Sequence, residues 1–466
     1  MPTPATWVTL LSSVGAAALG WWVKTSPPVE LLSLRNGGFV VYGVCSLYLI
    51  RYFRRYAEDP KLATPDMFPQ VPHSDAAKLA KANAAPPFEE TQDKYLVIGA
   101  GFVGLGMSGG LTRHGIPFDI VEKEDNIAGN WRYGVYDTVH IISSRRTTEF
   151  KDFPMPSHYP DFPSALQMRD YLDSYAEHYN LRRRLTCNTS VNSVVPIDGG
   201  RKGWEVTLET TNGKKTTTKT IVYKGVLCAL GHHWSMRMPD IEGKEKYTGR
   251  FCHSKQVRHP EEELKGKRVL VIGGGNSACD LAVEAGRYGA QNSAGLSVRH
   301  GVWFIPRTMF GKPMVDSLPS FTPLWLQRLI LKILCRIVWG KYANYGFPEP
   351  TTRPFDTHPT INSDLLHSVK LGRVSVNPGI KRFAGGTKVE FTDGTVKDFD
   401  IVIAATGYNY SVPMLPEGML EYKDGIPQLY SAFIPGYYNL GVLVGAQVRY
   451  GAGPIITSSA QAFGFL

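Results

Sequence analysis

Two glycine-rich turns, each entered from an apolar run and left into a helical one, constrain this chain more than any other feature. The first is KYLVIGAGFVGLGMSGGLTRHG, starting at Lys94, and the second is GKRVLVIGGGNSACDLAVEA, starting at Gly266, about 170 residues further on. Both read as strand, tight turn and helix, the arrangement in which backbone N–H groups at a helix start face a diphosphate. In the first, Tyr95 to Ile98 form the strand. Gly99 permits the turn, Gly101 lets a phosphate approach, and Gly104 lets helix and strand pack. A second strand, Phe118 to Val121, ends in Glu122, 21 residues after Gly101, where a carboxylate accepts a ribose hydroxyl. An acid there favours a free 2′-hydroxyl, as in FAD or NAD.

The second unit differs at the same point. Strand Arg268 to Ile272 enters Gly273-x-Gly275-x-x-Ala278, with Asn276 and Ser277 opening the helix, and the next strand, Leu296 to Val298, ends in Arg299 and His300. A guanidinium fits a 2′-phosphate that a carboxylate would repel, which favours NADPH over NADH. The competing reading of Arg299 is a solvated charge at a strand end. Two dinucleotide seats of opposite preference imply a flavin that receives hydride from a nicotinamide.

Composition fits this reading and narrows it. The 466 residues suit about three domains. A hydrophobic fraction of 43% with 20% charged residues is that of a globular protein and excludes collagen, coiled coil and disorder. The net charge of +10 favours anionic partners, phosphate or acidic lipid, and no pattern points to nucleic acid. The six cysteines are scattered without C-x-x-C or zinc-type spacing. Neither a disulfide framework nor a metal site is indicated, and the paired redox cysteines that a disulfide reductase needs are not close in sequence. The oligomeric state is open.

The amino terminus departs from the soluble average. Ala5 to Val23 is a 19-residue run without charge, which as a helix reaches about 28 Å and is long enough to span a bilayer. A second apolar run, Asn36 to Ile50, is too short to span easily and is followed by Arg51, Arg54 and Arg55 among aromatic residues, a cytoplasmic-type boundary. The expectation is a membrane anchor over residues 1–56 with the body on the cytoplasmic side, at the endoplasmic reticulum if the source is eukaryotic. A cleaved signal peptide is the alternative, but no basic residue precedes Lys24. Residues 57–92, rich in proline and lacking an apolar period, read as a linker.

Beyond the turns, the body from about Lys94 to Leu466 resembles the class B flavin-dependent monooxygenases, which include flavin-containing monooxygenases and Baeyer–Villiger enzymes. Ala128-Gly129-Asn130-Trp131-Arg132-Tyr133 is similar to the family's GG-x-W segment beside FAD. Tyr247-x-Gly249-x-x-x-His253-Ser254 resembles its F-x-G-x-x-x-H fingerprint, and IVIAATGY from Ile401, with Thr406 and Gly407, resembles its closing A-T-G-Y. Gly451-Ala452-Gly453-Pro454 looks like the turn that opens the last FAD-domain helix. The resemblance implies FAD in the first unit, NADPH in the second, oxygen activated as a C4a-(hydro)peroxyflavin, and a small lipophilic nitrogen- or sulfur-containing substrate. It also implies that His253 positions the two domains rather than acting as acid or base.

Two departures bear on chemistry. Val257 stands where Baeyer–Villiger members carry Trp, which disfavours ketone oxidation. Ser143 and Ser144 stand where many members carry an Asn-containing pair contacting the flavin peroxide, and a hydroxyl reaches less far and donates once. A Baeyer–Villiger oxygenase, an NADPH oxidase releasing hydrogen peroxide, and a catalytically silent membrane scaffold are the alternatives.

The expected fold is α/β with two Rossmann-like domains. FAD-binding segments at 93–240 and 351–466 flank an NADPH-binding domain at 241–350, and Phe383 to Phe399 reads as a hairpin turning at Asp393-Gly394 in the second FAD segment. Within the NADPH domain, Pro323 to Gly340 reads as an amphipathic helix whose Arg328, Lys332 and Arg336, with Gln327 beside them, form a narrow basic stripe. Two readings stand for it: a helix lying on an anionic membrane with its basic side toward headgroups, or a domain-packing helix whose cations meet carboxylates or solvent.

Overall fold

The chain from Tyr95 builds one parallel sheet, leaves it for a second, and returns at its far end to complete the first. In this computed structural model, residues 76–317, 322–430, 432–443, 456 and 459 are described. The expected anchor over residues 1–56 and most of the linker lie outside the described residues. Among the described residues, no helix is long and apolar enough to cross a membrane.

The first sheet starts with β1 (Tyr95–Ile98), β2 (Phe118–Val121), β3 (Leu185–Thr186) and β4 (Gly225–Cys228). The second contains β5 (Arg250–His253), β6 (Val269–Ile272), β7 (Ala294–Ser297), β8 (Val374–Asn377) and β9 (Ile401–Ala404). Finally β10 (Leu440–Val442) rejoins the first, giving the orders β10-β4-β1-β2-β3 and β8-β7-β6-β9-β5. All these pairs are parallel, for example Tyr95 with Phe118 and Val269 with Ile401. Parallel strands need crossovers that cover both faces, so their sequences run apolar without alternation. FDIV in β2 and IVIA in β9 are buried at every position. Helix α1 (Phe102–Arg113) crosses from β1 to β2, and α3 (Asn276–Tyr288) crosses from β6 to β7. Between them in sequence, α2 (Ala165–His178) starts at Ser164, whose side chain forms a reciprocal capping box with Gln167, and packs its Tyr171 and Tyr175 into the first core.

Four buried clusters cover the two faces of each sheet. The first lobe also carries a buried ion pair: Lys94 Nζ lies 3.1 Å from Asp119 Oδ1 on β2. Asp119 Oδ2 accepts from the Tyr223 hydroxyl at 3.0 Å and from the Phe88 N–H at 3.1 Å. Three donors around one buried carboxylate pin the entering chain and the outer sheet Thr189–Pro196, Trp204–Asn212 and Lys215–Tyr223 to β2.

Two boundaries differ from the sequence reading. Residues Ala76–Ala84, assigned to the linker, form a helix. Their alanines and lysines favour one without any apolar period. More consequentially, β9 does not close the first lobe. It is inserted between β6 and β5, with Val402 packed against Phe383, Val389, Phe391 and Phe399 on one face and Ile403 in the second lobe's main core on the other. A strand apolar on both faces belongs in a sheet interior, and the second sheet has the vacancy. The expected hairpin exists, with Lys388–Phe391 paired to Val396–Asp398 around Asp393-Gly394, but it joins Ile380–Gly385 in a three-stranded sheet over the second lobe. The second lobe therefore extends from β5 through β9, and the chain re-enters the first lobe after Tyr408 rather than at residue 351.

The crossover helix Leu324–Trp339, here α4, buries Gln327, Leu331, Cys335 and Trp339. Arg328 pairs with Asp356 and Arg336 with Glu349, so two of the three expected stripe cations turn to carboxylates of the protein. Gln327 is buried and donates to the Thr322 carbonyl at 2.6 Å, so it is not part of an outward stripe.

Candidate functional site

At the first turn the backbone leaves no room for a side chain at Gly99 or Gly104. Gly99 has φ +101°, and a Cβ there would lie 2.7 Å from the Ala229 carbonyl oxygen; one on Gly104 would lie 1.8 Å from the Gly99 oxygen. Gly101 faces Gly129 across the turn, where a Cβ on Gly129 would come within 3.0 Å of the Gly101 Cα. The Ala128 N–H donates to the Ala100 carbonyl at 3.0 Å, laying the AGNW turn against the glycine turn. These two bare stretches of backbone form a corridor at the start of α1, whose N-cap Gly101 contributes no side-chain cap. Its first N–H groups are thus available to an anion.

Glu122 stands at one end of this corridor, buried, accepting from the Ala100 N–H at 2.7 Å and the Glu124 N–H at 3.1 Å. Burial raises its pKa and those N–H groups oppose the rise. Each carboxylate oxygen retains a lone pair for a ribose hydroxyl. Asn130 follows Gly129, and its buried Oδ1 has no hydrogen-bond partner. Trp131 packs half-buried against the first core. An orphaned acceptor beside a side-chain-free corridor fits a bound dinucleotide with hydroxyl groups to donate.

The second turn is open. Gly273 has φ +131° and a Cβ there would meet the Ala405 oxygen at 2.6 Å, but a Cβ on Gly275 would meet nothing within 4 Å. Ala278 is buried beneath the turn. Arg299 is exposed just past β7, and its guanidinium makes no hydrogen bond or ion pair with any described residue, which leaves it available to a phosphate. Asn276 does not face this opening. Its amide donates to the Pro359 carbonyl at 2.9 Å and accepts from the Ile361 N–H at 2.8 Å, tying α3 to the segment beside it. Ser277 lies beside the Tyr136 hydroxyl. Both residues, expected at the cofactor, serve the protein's own contacts.

His253 is fully buried at the end of β5. Its Nε2 lies 2.9 Å from the Gly407 carbonyl oxygen, and its Nδ1 accepts from the Lys255 N–H at 3.2 Å, which assigns the proton to Nε2. Burial holds its pKa below the usual histidine value. With both ring nitrogens engaged, it is a fixed neutral staple between the fingerprint and the A-T-G-Y segment. At the same crossing the Thr406 carbonyl accepts from Arg237 Nε and Nη2 at 3.0 and 2.8 Å, and Gly407 adopts φ +83°. Tyr408–Asn409 pairs antiparallel with Ser235–Met236. Thr406 and Gly407 thus lie where the two chain crossings between lobes run side by side, not on the first glycine turn.

The serine pair is also committed. Ser144 caps the short helix Arg145–Thr148 in a reciprocal box with Thr147, and its hydroxyl donates to the Asp316 carboxylate. Ser143 Oγ lies 2.7 Å from Thr148 Oγ1. A hydroxyl has one proton, and that of Ser144 goes to Asp316, so its expected role as a donor to bound oxygen is not met. Gly453 lies outside the described residues; nearby Ile456 packs into the first core against α1.

Several residues that hold the lobes together carry no local sequence signal. The Tyr136 hydroxyl donates at 2.9 Å to Asp280 on α3, which also accepts from Asn362 at 2.9 Å. Burial raises the Asp280 pKa. Lys255 Nζ lies 3.5 Å from the centre of the Trp234 ring and Lys123 Nζ 4.1 Å from it, joining the fingerprint to the residue after Glu122. Burial lowers the Lys255 pKa to about 8. Among the described residues, no cluster of histidine, cysteine or carboxylate is placed to hold a metal.

Comparison with known proteins agrees with this geometry. The chain is 30% identical over 344 residues to the probable indole-3-pyruvate monooxygenase YUCCA3 of Arabidopsis thaliana, covering 72% of this chain and 77% of that one. It is 30% identical over 369 residues to the N-oxide-forming dimethylaniline monooxygenase 2 of Rattus norvegicus, covering 73% of this chain but 66% of the rat protein. In fold it matches OTEMO, solved in complex with FAD and NADP, with a TM-score of 0.64 at 16% identity over 80% of this chain and 83% of that one. The description "Flavin-binding monooxygenase-like" matches residues 92–459, and the chain belongs to that family.

Proposed function

We propose that this protein is an FAD- and NADPH-dependent monooxygenase that oxygenates a small lipophilic nitrogen- or sulfur-containing substrate. The observation that carries the reading is the contrast between the two turns: a closed corridor ending in buried Glu122, and an open one beside unpaired Arg299. Gly99, Gly101, Gly104, Gly129, Asn130 and Trp131 would hold FAD, with Glu122 on its ribose. Gly273, Gly275, Ala278 and Arg299 would hold NADPH. Bound flavin would supply the redox chemistry, taking hydride from the nicotinamide and passing electrons to oxygen. The chain's part is to keep FAD resident, to let nicotinamide exchange at the open turn, to hold the fingerprint against the A-T-G-Y segment through His253, and to tie the Tyr136 segment to α3 through the Tyr136–Asp280 contact. The name of the rat relative favours nitrogen oxidation; the buried Val257 does not favour the Baeyer–Villiger alternative. The sequence of residues 1–56 supports a membrane anchor with the body on the cytoplasmic face.

A second reading, an NADPH oxidase, is favoured by the engagement of Ser144 with Asp316, which removes one donor from the site. Purified protein separates the two. An oxygenase comes out yellow, is reduced faster by NADPH than by NADH, and in air with an amine or thioether yields oxygenated product in step with NADPH consumed. Hydrogen peroxide equal to the NADPH consumed supports the oxidase, and protein that refuses added FAD overturns both and leaves the silent scaffold.

A further inference from the structure

The second lobe carries an apolar face that its own fold does not cover. On α4, Trp325, Leu329, Ile333 and Ile337 are 64, 46, 51 and 76% exposed. Spaced every four residues, they advance about 40° per step and form one continuous oblique row. The opposite face, Leu331, Cys335 and Trp339, is buried in the second lobe's main core, so the helix needs no further packing to be held. Four large apolar side chains in one row, one of them an indole, far exceed the scattered exposure of ordinary surfaces.

The charges around this row decide its partner. Arg328 pairs with Asp356, which it shares with Arg353, and Arg336 pairs with Glu349. Lys332, on the helix beside the row, and Lys341, just past its end, are exposed, and their side-chain amines make no ion pair or hydrogen bond with any described residue. An apolar row flanked by unpaired lysines matches a surface with an apolar interior beneath an anionic skin. A folded protein partner would have to supply a matching hydrophobic groove with carboxylates at two particular points; an acidic bilayer supplies both features everywhere. The same chain also contains a charge-free run from Ala5 to Val23 of membrane-spanning length.

We propose that α4 docks the second lobe on an anionic lipid surface, with Trp325, Leu329, Ile333 and Ile337 entering the acyl boundary and Lys332 and Lys341 meeting headgroups. The orientation is the reverse of a basic stripe facing lipid: the arginines turn inward and the apolar row turns outward. The second lobe would then rest on the membrane through its own contact. The inference does not depend on the oxygenase reading, because it concerns a face remote in kind from either glycine turn and is measurable in protein that turns over nothing.

Hydrogen exchange on the full chain tests it, since exchange is read segment by segment and a contribution of the amino terminus is seen separately. Adding phosphatidylcholine–phosphatidylserine vesicles is expected to slow exchange several-fold in peptides covering residues 324–339, and pure phosphatidylcholine to slow it less. In the double variant Ile333→Asp, Ile337→Asp, both positions being exposed, that protection is expected to vanish while NADPH consumption in detergent stays unchanged. Vesicles that leave residues 324–339 unprotected overturn the proposal. So does protection that appears without lipid and rises with protein concentration, which would assign the face to a second copy of the chain.

Discussion

The two glycine turns are built on one plan, yet they present different openings. At both, the leading glycine, Gly99 or Gly273, sits under a carbonyl, but at the first Gly101 and Gly129 also face one another, so bare backbone flanks the opening on two sides. At the second, no atom lies within 4 Å of a Cβ placed on Gly275, and the strand-end charge is an exposed arginine rather than a buried acid. The difference teaches that a shared fingerprint does not fix the shape of the opening it makes. Enclosure suits a cofactor kept through many turnovers, and openness suits one that must leave after each.

The sharpest way to break this comparison is to fill the first turn. Gly104→Ala puts a Cβ 1.8 Å from the Gly99 oxygen, and because backbone cannot yield there, a loss above about 3 kcal/mol is expected. Soluble yield and flavin content should both collapse. Gly275→Ala, by contrast, should leave the melting temperature nearly unchanged while weakening NADPH binding.

A smaller effect is expected from the strand-end charge. Arg299→Ala should raise the KM for NADPH by about 10- to 100-fold, from the loss of a charge-assisted bond, with the NADH value little altered. Equal effects on both coenzymes would show that Arg299 is only a solvated charge.

Ser144→Ala removes a helix cap and the donor to Asp316, with an expected cost of about 1–2 kcal/mol in urea unfolding. If the coupling of NADPH consumption to product is unchanged in that variant, Ser144 acts through structure alone. A change in coupling without a change in stability would restore it as a donor to the reacting oxygen.

Lys255 gives the smallest signal. Its folded pKa is about 8, below the ordinary lysine value near 10.5. Below pH 8 both folded and unfolded chains hold the proton, and the cost of burying the ammonium is fully present. Between pH 8 and 10.5 the unfolded chain binds more protons, so stability from this group rises with pH. Attraction to the Trp234 ring opposes the shift, so wild type should gain roughly 1 kcal/mol over Lys255→Met across that window, read from paired urea midpoints.

Much of the architecture was legible because its signals are local. The strands Tyr95–Ile98 and Phe118–Val121 follow from apolar runs ended by glycine and acid, and Asp393-Gly394 marks its own turn. The placement of Ile401–Ala404 was not legible, since a strand apolar on both faces fits the interior of either sheet. Asn276 and Ser277 sit at positions that the fingerprint associates with a cofactor, but Pro359 and Ile361, distant in sequence, claim the polar atoms of Asn276, and Ser277 lies beside Tyr136.

By itself, the sequence determined the two glycine turns, the opposite charges at their strand ends and the family, because each depends on residue types at short fixed spacings. Only the tertiary structure decided which sheet takes β9, that His253 is a neutral staple on Gly407, that Ser144 gives its proton to Asp316, and which face of α4 looks outward. Those outcomes depend on which of several chemically adequate partners lies within hydrogen-bonding or packing distance, and such proximity is a property of the folded chain.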